Sequence, residues 1–156
     1  GTTFKFYRGK KNDSIIKKIK NGNKDLKKKT TKNIMIVEDE MIIVMYLKRI
    51  LSKEYEILGV FRHGESVISA LKDNKTDPDL IIMDISLSGK MDGIEVARKI
   101  NETKNIPILF RTGFADSKIT KKINKLNLKY YGSISKNTNP KVILKSVANL
   151  IEKAIK

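Results

Sequence analysis

The sequence predicts a doubly wound α/β domain, a five-stranded parallel sheet with helices on both faces, preceded by a short basic segment. Two observations carry this reading. From Asn33 onward, short apolar runs alternate five times with stretches of helical spacing. The runs are also continuously apolar, as strands are when helices cover both faces of a parallel sheet.

Taken in order, Ile34 to Val37 is the first strand and closes on Glu38-Asp39-Glu40, after which Met41 to Leu51 has helical spacing. Ile57 to Phe61 reads as the second strand and Gly64 to Leu71 as the second helix. Leu80 to Met83 is the third strand, ending on Asp84. A loop with Gly89 and Gly93 leads into a helix over Ile94 to Ile100. The fourth strand is expected at Ile106 to Phe110, with a helix from about Ala115 to Leu126. Tyr130 to Ile134 is the fifth strand, and Val142 to Ile155 a last amphipathic helix with Asn139-Pro140 at its start, where proline is at home.

Composition narrows the function classes. The chain has 156 residues, 40% hydrophobic and 6% aromatic with no Trp, so one domain with an aliphatic core is expected. The absence of cysteine excludes disulfides, thiolate metal sites and thiol chemistry. No run approaches the ~20 apolar residues that span a bilayer, and no signal-peptide core opens the chain, so a cytoplasmic protein without membrane contact is expected. The net charge of +16 is concentrated at one end: residues 1–33 carry twelve Lys and Arg against two Asp and Glu. The lysines come with abundant Asn and Ile, as an AT-rich genome gives, and without aromatic interleaving. No nucleic-acid partner is expected.

In a doubly wound sheet the reactive crevice lies at the carboxyl ends of the strands. Those ends carry Glu38 and Asp39, then Asp84, then Arg111 and Thr112, then Ser135 and Lys136. Clustered carboxylates repel and need a cation to stay ionised together. All-oxygen ligands suit Mg²⁺, which also binds phosphate oxygens. A carboxylate can attack phosphorus, and a lysine, a hydroxyl and a metal ion can neutralise the transferring phosphoryl group. Each residue has a plainer reading. The acids after the first strand can cap the next helix, Asp84 and Thr112 can be turn residues, and Lys136 can be one solvated lysine among many. His63, the only histidine, reads as a surface residue.

The runs IMIVEDE (34–40), LIIMDISLSGKMDGIEVA (80–97), ILFRTG (108–113) and YGSISK (131–136) resemble the response-regulator receiver family of two-component signalling, in order and over about residues 33–156. The resemblance implies a flavodoxin-like sheet and a phosphorelay role. Asp84 would accept the phosphoryl group, with Thr112 and Lys136 contacting it. Mg²⁺ would be held by Asp39 and Asp84, by Glu38 mainly through water, and by the backbone carbonyl of Ser86. A histidine kinase or phosphotransfer protein would be the donor, and a further protein the downstream partner. Met91-Asp92-Gly93 would shape the loop after the third strand, with Gly93 allowing a tight start to the next helix.

Three positions depart from the family pattern. Asn137 stands after Lys136 where a cis proline is usual, Ser133 stands where the switch aromatic is expected with Tyr131 two residues earlier, and Arg111-Thr112-Gly113 carries an unusual charge. Phosphorylation is expected to survive these changes, whereas the common switch is in question. A degenerate receiver that binds partners without phosphorylation is the alternative. An aspartyl-phosphate phosphohydrolase would place a second Asp two residues after the nucleophile, where this chain has Ser86.

Residues 1–9, opening GTTFKFY, resemble the last strand of a histidine-kinase ATP-binding domain, and residues 10–32 read as a basic linker. With Gly1 in place of Met, this suggests the C-terminal receiver of a hybrid histidine kinase, lacking the kinase core. Because the chain reaches Lys156 just after the last helix, output through a protein partner and not through a DNA-binding domain is expected.

Overall fold

The computed structural model describes residues 31–113 and 116–155. The expected kinase remnant at 1–9 and nearly all of the linker at 10–32 lie outside them. A compact unit begins at Lys32, whose carbonyl already accepts a hydrogen bond from the Glu56 amide.

The elements are β1 (Asn33–Val37), α1 (Met41–Leu51), β2 (Glu56–Phe61), α2 (Gly64–Lys72), β3 (Leu80–Asp84), α3 (Gly93–Asn101), β4 (Ile108–Thr112), α4 (Ser117–Asn124), β5 (Tyr131–Ser135) and α5 (Pro140–Ile155). The five strands form one parallel sheet in the order β2-β1-β3-β4-β5. The order reverses between β1 and β3, so the crevice opens at the carboxyl ends of those two strands.

Side-chain alternation divides the core into two layers. Met35, Val37, Ile81, Met83, Ile108 and Phe110 face α2, α3 and α4, where Val67, Leu71, Val96 and Ile100 meet them. Ile34, Ile36, Leu80, Ile82 and Leu109 face α1 and α5, against Leu47, Leu51, Ile143 and Val147. Only the three inner strands β1, β3 and β4 are covered almost throughout, which is why they read as unbroken apolar runs. The edge strands β2 and β5 alternate between exposed and covered positions.

Several boundaries shift for identifiable reasons. β4 begins at Ile108, two residues later than expected, since Pro107 has no N–H to give the ladder, although its carbonyl accepts from the Ile81 amide. α5 begins at Pro140, with the Asn139 side chain accepting from the Val142 amide as its cap. Asp92 caps α3 by accepting from the Glu95 amide. Gly93 is needed for a different reason than helix-start freedom: a Cβ there would collide with the Asp84 carbonyl oxygen. The left-handed backbone of this loop falls on Gly89, at φ +105°.

Candidate functional site

The carboxyl ends of β1, β3 and β5 bring the sequence-predicted residues together. Glu38 and Asp39 follow β1 directly, Asp84 ends β3, and one oxygen from each lies within 4.8 Å of the others. Lys136 follows β5, which is pinned at this point because the Lys136 amide donates to the Thr112 carbonyl at 2.9 Å. Its Nζ reaches Asp84 Oδ1 at 3.1 Å, and the Ser86 amide donates to the same oxygen at 3.1 Å. Asp39 Oδ2 accepts from the Ser88 amide at 3.0 Å, so the loop after β3 ties the first strand's acid to the third strand's.

The plainer reading of the acids as helix caps does not hold. α1 has Glu40 at its N-cap, and that side chain makes no capping hydrogen bond. Glu38 is turned into the protein, almost fully buried, and Asp39 is half-buried. His63 is exposed at the start of α2, as expected of a surface residue.

Sequence reasoning flagged Arg111 as an unusual charge but did not find its partner. Arg111 is register-paired with Asp84 across β3 and β4, and its Nη1 donates to Glu38 Oε1 at 3.0 Å. Both side chains are buried, at 3% and 2% exposure, so this is a desolvated ion pair. The second Glu38 oxygen accepts from the Glu40 amide at 3.1 Å. The signal was present in the strand alternation: Ile34, Ile36 and Glu38 share one face, as do Leu109 and Arg111.

These surroundings set the ionisation. Burial pushes the Glu38 carboxyl up from 4.5 to about 7; the Glu40 amide pulls it back, the neighbouring Asp84 raises it again, and Arg111 lowers it. Partial burial also raises Asp39, but hydrogen bonds from Ser88 and Glu38 outweigh it and hold that carboxyl below 3.8. Three carboxylates gathered this tightly form an all-oxygen donor set, open on the Asp39 side, and such a set fits Mg²⁺.

Thr112 ends β4 and lines a cavity of about 180 Å³ with Ile119, Ile123, Tyr131 and Ser133. Ser133, where a switch aromatic is expected, lines this space beside Thr112, and at its rim the Tyr131 hydroxyl donates to Asn124 Oδ1 at 2.6 Å. No cis peptide bond occurs among the described residues. Lys136 still meets Asp84 with Asn137 behind it, so the loss of the usual proline does not remove the lysine from the site.

The sheet order and the acidic edge define a doubly wound domain with a carboxylate site at its topological switch point. Comparisons with known proteins place it more narrowly. Residues 34–148 match the response regulator receiver domain family, and the chain belongs to that family. It is 32% identical over 125 residues to the aerobic respiration control protein ArcA of Escherichia coli, covering 80% of this chain and 50% of that one. It is 38% identical over 110 residues to the transcriptional regulatory protein YvrH of Bacillus subtilis, covering 62% and 45%. The chain thus spans about half the length of these curated relatives. Among solved structures, the signal receiver domain of a modulated diguanylate cyclase from Desulfovibrio desulfuricans superposes with a TM-score of 0.69 at 30% identity, over 80% of this chain and 96% of that one. No helix among the described residues is long and apolar enough to cross a membrane.

Proposed function

We propose that this chain is a phosphorelay receiver that takes a phosphoryl group from a phosphohistidine donor onto Asp84. The observation that carries this is the Lys136 ammonium 3.1 Å from Asp84, inside a cluster of three carboxylates at the strand ends. A carboxylate oxygen of Asp84 forms the bond to phosphorus as the donor's P–N bond breaks. The imidazole nitrogen keeps that electron pair, and the product is an acyl phosphate. Lys136 is placed to pair with a phosphoryl oxygen, and Thr112 at the end of β4 is the hydroxyl we assign to another. The Ser86 amide fixes the Asp84 carboxylate, and its carbonyl is our assignment for a metal contact, beside Asp39 and Asp84. Mg²⁺, when bound, supplies charge neutralisation for the transferring group.

The exposed apolar residues Met41, Ile42, Met45 and Tyr46 on α1 support a protein donor. Ile42 and Tyr46 line an open cavity of about 400 Å³ together with Arg111 and Lys136, so an apolar face adjoins the site's mouth. A histidine kinase or phosphotransfer protein in the cytoplasm is the donor we infer, and a protein partner takes the output. The resemblance of residues 1–9 to a kinase strand, followed by a basic linker at 10–32 and a receiver at 33–156, supports origin in a hybrid histidine kinase. The chain modifies itself and is not read as a turnover enzyme.

Intact mass after incubation with acetyl phosphate and Mg²⁺ tests the reading. One added phosphoryl group is expected on the wild type and none on Asp84→Asn or without Mg²⁺. An unmodified wild type would favour a degenerate binding module.

A further inference from the structure

The Glu38–Arg111 pair sits where a cation is to be held, and the phosphoryl-transfer reading gives Arg111 no task. Arg111 is buried at the end of β4, beside Asp84 in register and bonded to Glu38. Among the described residues its Nε has no hydrogen-bond partner. A guanidinium stays charged under all ordinary conditions, so a permanent positive charge lies inside the acidic cluster. Both oxygens of Glu38 are engaged, one by Arg111 and the other by the Glu40 amide. Glu38 thus meets the cluster as one half of an ion pair, with one oxygen within 4.8 Å of oxygens of Asp39 and Asp84.

We propose that Arg111 offsets the charge of Glu38 and so lowers the site's affinity for Mg²⁺. The inference rests on the metal site of the proposed function. The guanidinium, 3.0 Å from Glu38, adds one positive charge to the cluster, in which one oxygen of each carboxylate lies within 4.8 Å of the others, so an incoming cation meets the net charge of two carboxylates and not of three. Taking a unit charge about 8 Å from a divalent ion at an effective dielectric near 20, the repulsion amounts to about a thousandfold in binding before solvent and salt screen it, and a loss of at least about tenfold is expected to remain. The site would thus load, and phosphorylation proceed, only at higher Mg²⁺ than the three acids alone would require.

Calorimetric titration of Mg²⁺ into the full chain at pH 8 and at pH 9, the higher pH keeping Glu38 ionised once Arg111 is replaced, tests this without reference to phosphorylation. Arg111→Met is expected to bind Mg²⁺ at least about tenfold more tightly than wild type. Arg111→Lys, which keeps the charge, is expected to stay within about threefold of wild type. A gain for Lys as large as that for Met would show packing to be responsible and would overturn the proposal. Should Arg111→Met fail to fold, the double variant Arg111→Met/Glu38→Gln decides against Glu38→Gln alone: tighter binding by the double variant supports the proposal, and equal or weaker binding overturns it. Wild type that binds no Mg²⁺ overturns the proposal along with the metal site. Wild type that binds Mg²⁺ while Arg111→Met binds it no better overturns the role of Arg111 and leaves the receiver reading intact.

Discussion

Glu38 makes the metal-free protein less stable as pH rises, which is the reverse of what a paired surface carboxylate does. Its pKa is about 7 in the folded chain against 4.5 for the free side chain. A carboxyl whose folded pKa is raised binds more protons in the native state between those values, so its contribution is fully present below pH 4.5 and lost as pH climbs through 7. A shift of that size corresponds to about 3 kcal/mol, and burial of the side chain means that solvent does little to screen it. In a domain of this size that is on the order of 10 °C in Tm. The assay is thermal unfolding from pH 5 to pH 8 with a chelator present, for wild type and Glu38→Gln, taking the difference between the two curves. That difference removes the other titrating groups. Asp39 adds nothing to this window, because its pKa is held below 3.8 and its stabilisation is lost only under stronger acid. Wild type should lose stability relative to Glu38→Gln as pH rises, and saturating Mg²⁺ should flatten the loss by favouring the ionised cluster. A flat or rising difference in the chelated protein would refute the argument that burial and the Asp84 charge outweigh Arg111 at this carboxyl.

Two further outcomes follow from the geometry. Gly93→Ala drives a methyl group into the Asp84 carbonyl oxygen, so α3 or the end of β3 must move. A loss of about 2–3 kcal/mol in urea unfolding is expected, with slower phosphorylation because Asp84, the proposed nucleophile, rides on the displaced strand end. Lys136→Met removes the cation 3.1 Å from Asp84 while keeping the stem's volume. Acetyl phosphate labelling followed by intact mass should slow by about a hundredfold or more, as when one electrostatic stabiliser is removed, and the fold should survive because the lysine head is partly solvated.

Much of the site was legible in the sequence because its positions are fixed by chain direction alone. A parallel sheet puts every strand's carboxyl end on one edge, so Glu38, Asp39, Asp84, Thr112 and Lys136 had to gather there once the five apolar runs were recognised as strands. The same logic explains the helix bounded by Met41 and Leu51, whose apolar spacing is dictated by the face it packs on the sheet. Edge strands were less legible: β2 and β5 are covered from one side in places, so their patterns are mixed. β4 was displaced by a proline that the apolar run includes but the hydrogen-bond ladder cannot.

The sequence by itself thus determined the α/β class, the order of elements and the set of residues at the carboxyl edge of the sheet, since periodicity and strand polarity are local properties of the chain. Tertiary structure alone decided how those residues divide their work. The Glu38–Arg111 pair spans 73 positions, and Lys136 finds Asp84 from a strand two places away in the sheet. Charge partners are chosen by distance and desolvation across neighbouring strands, and neither quantity is written in the spacing of one strand's own residues.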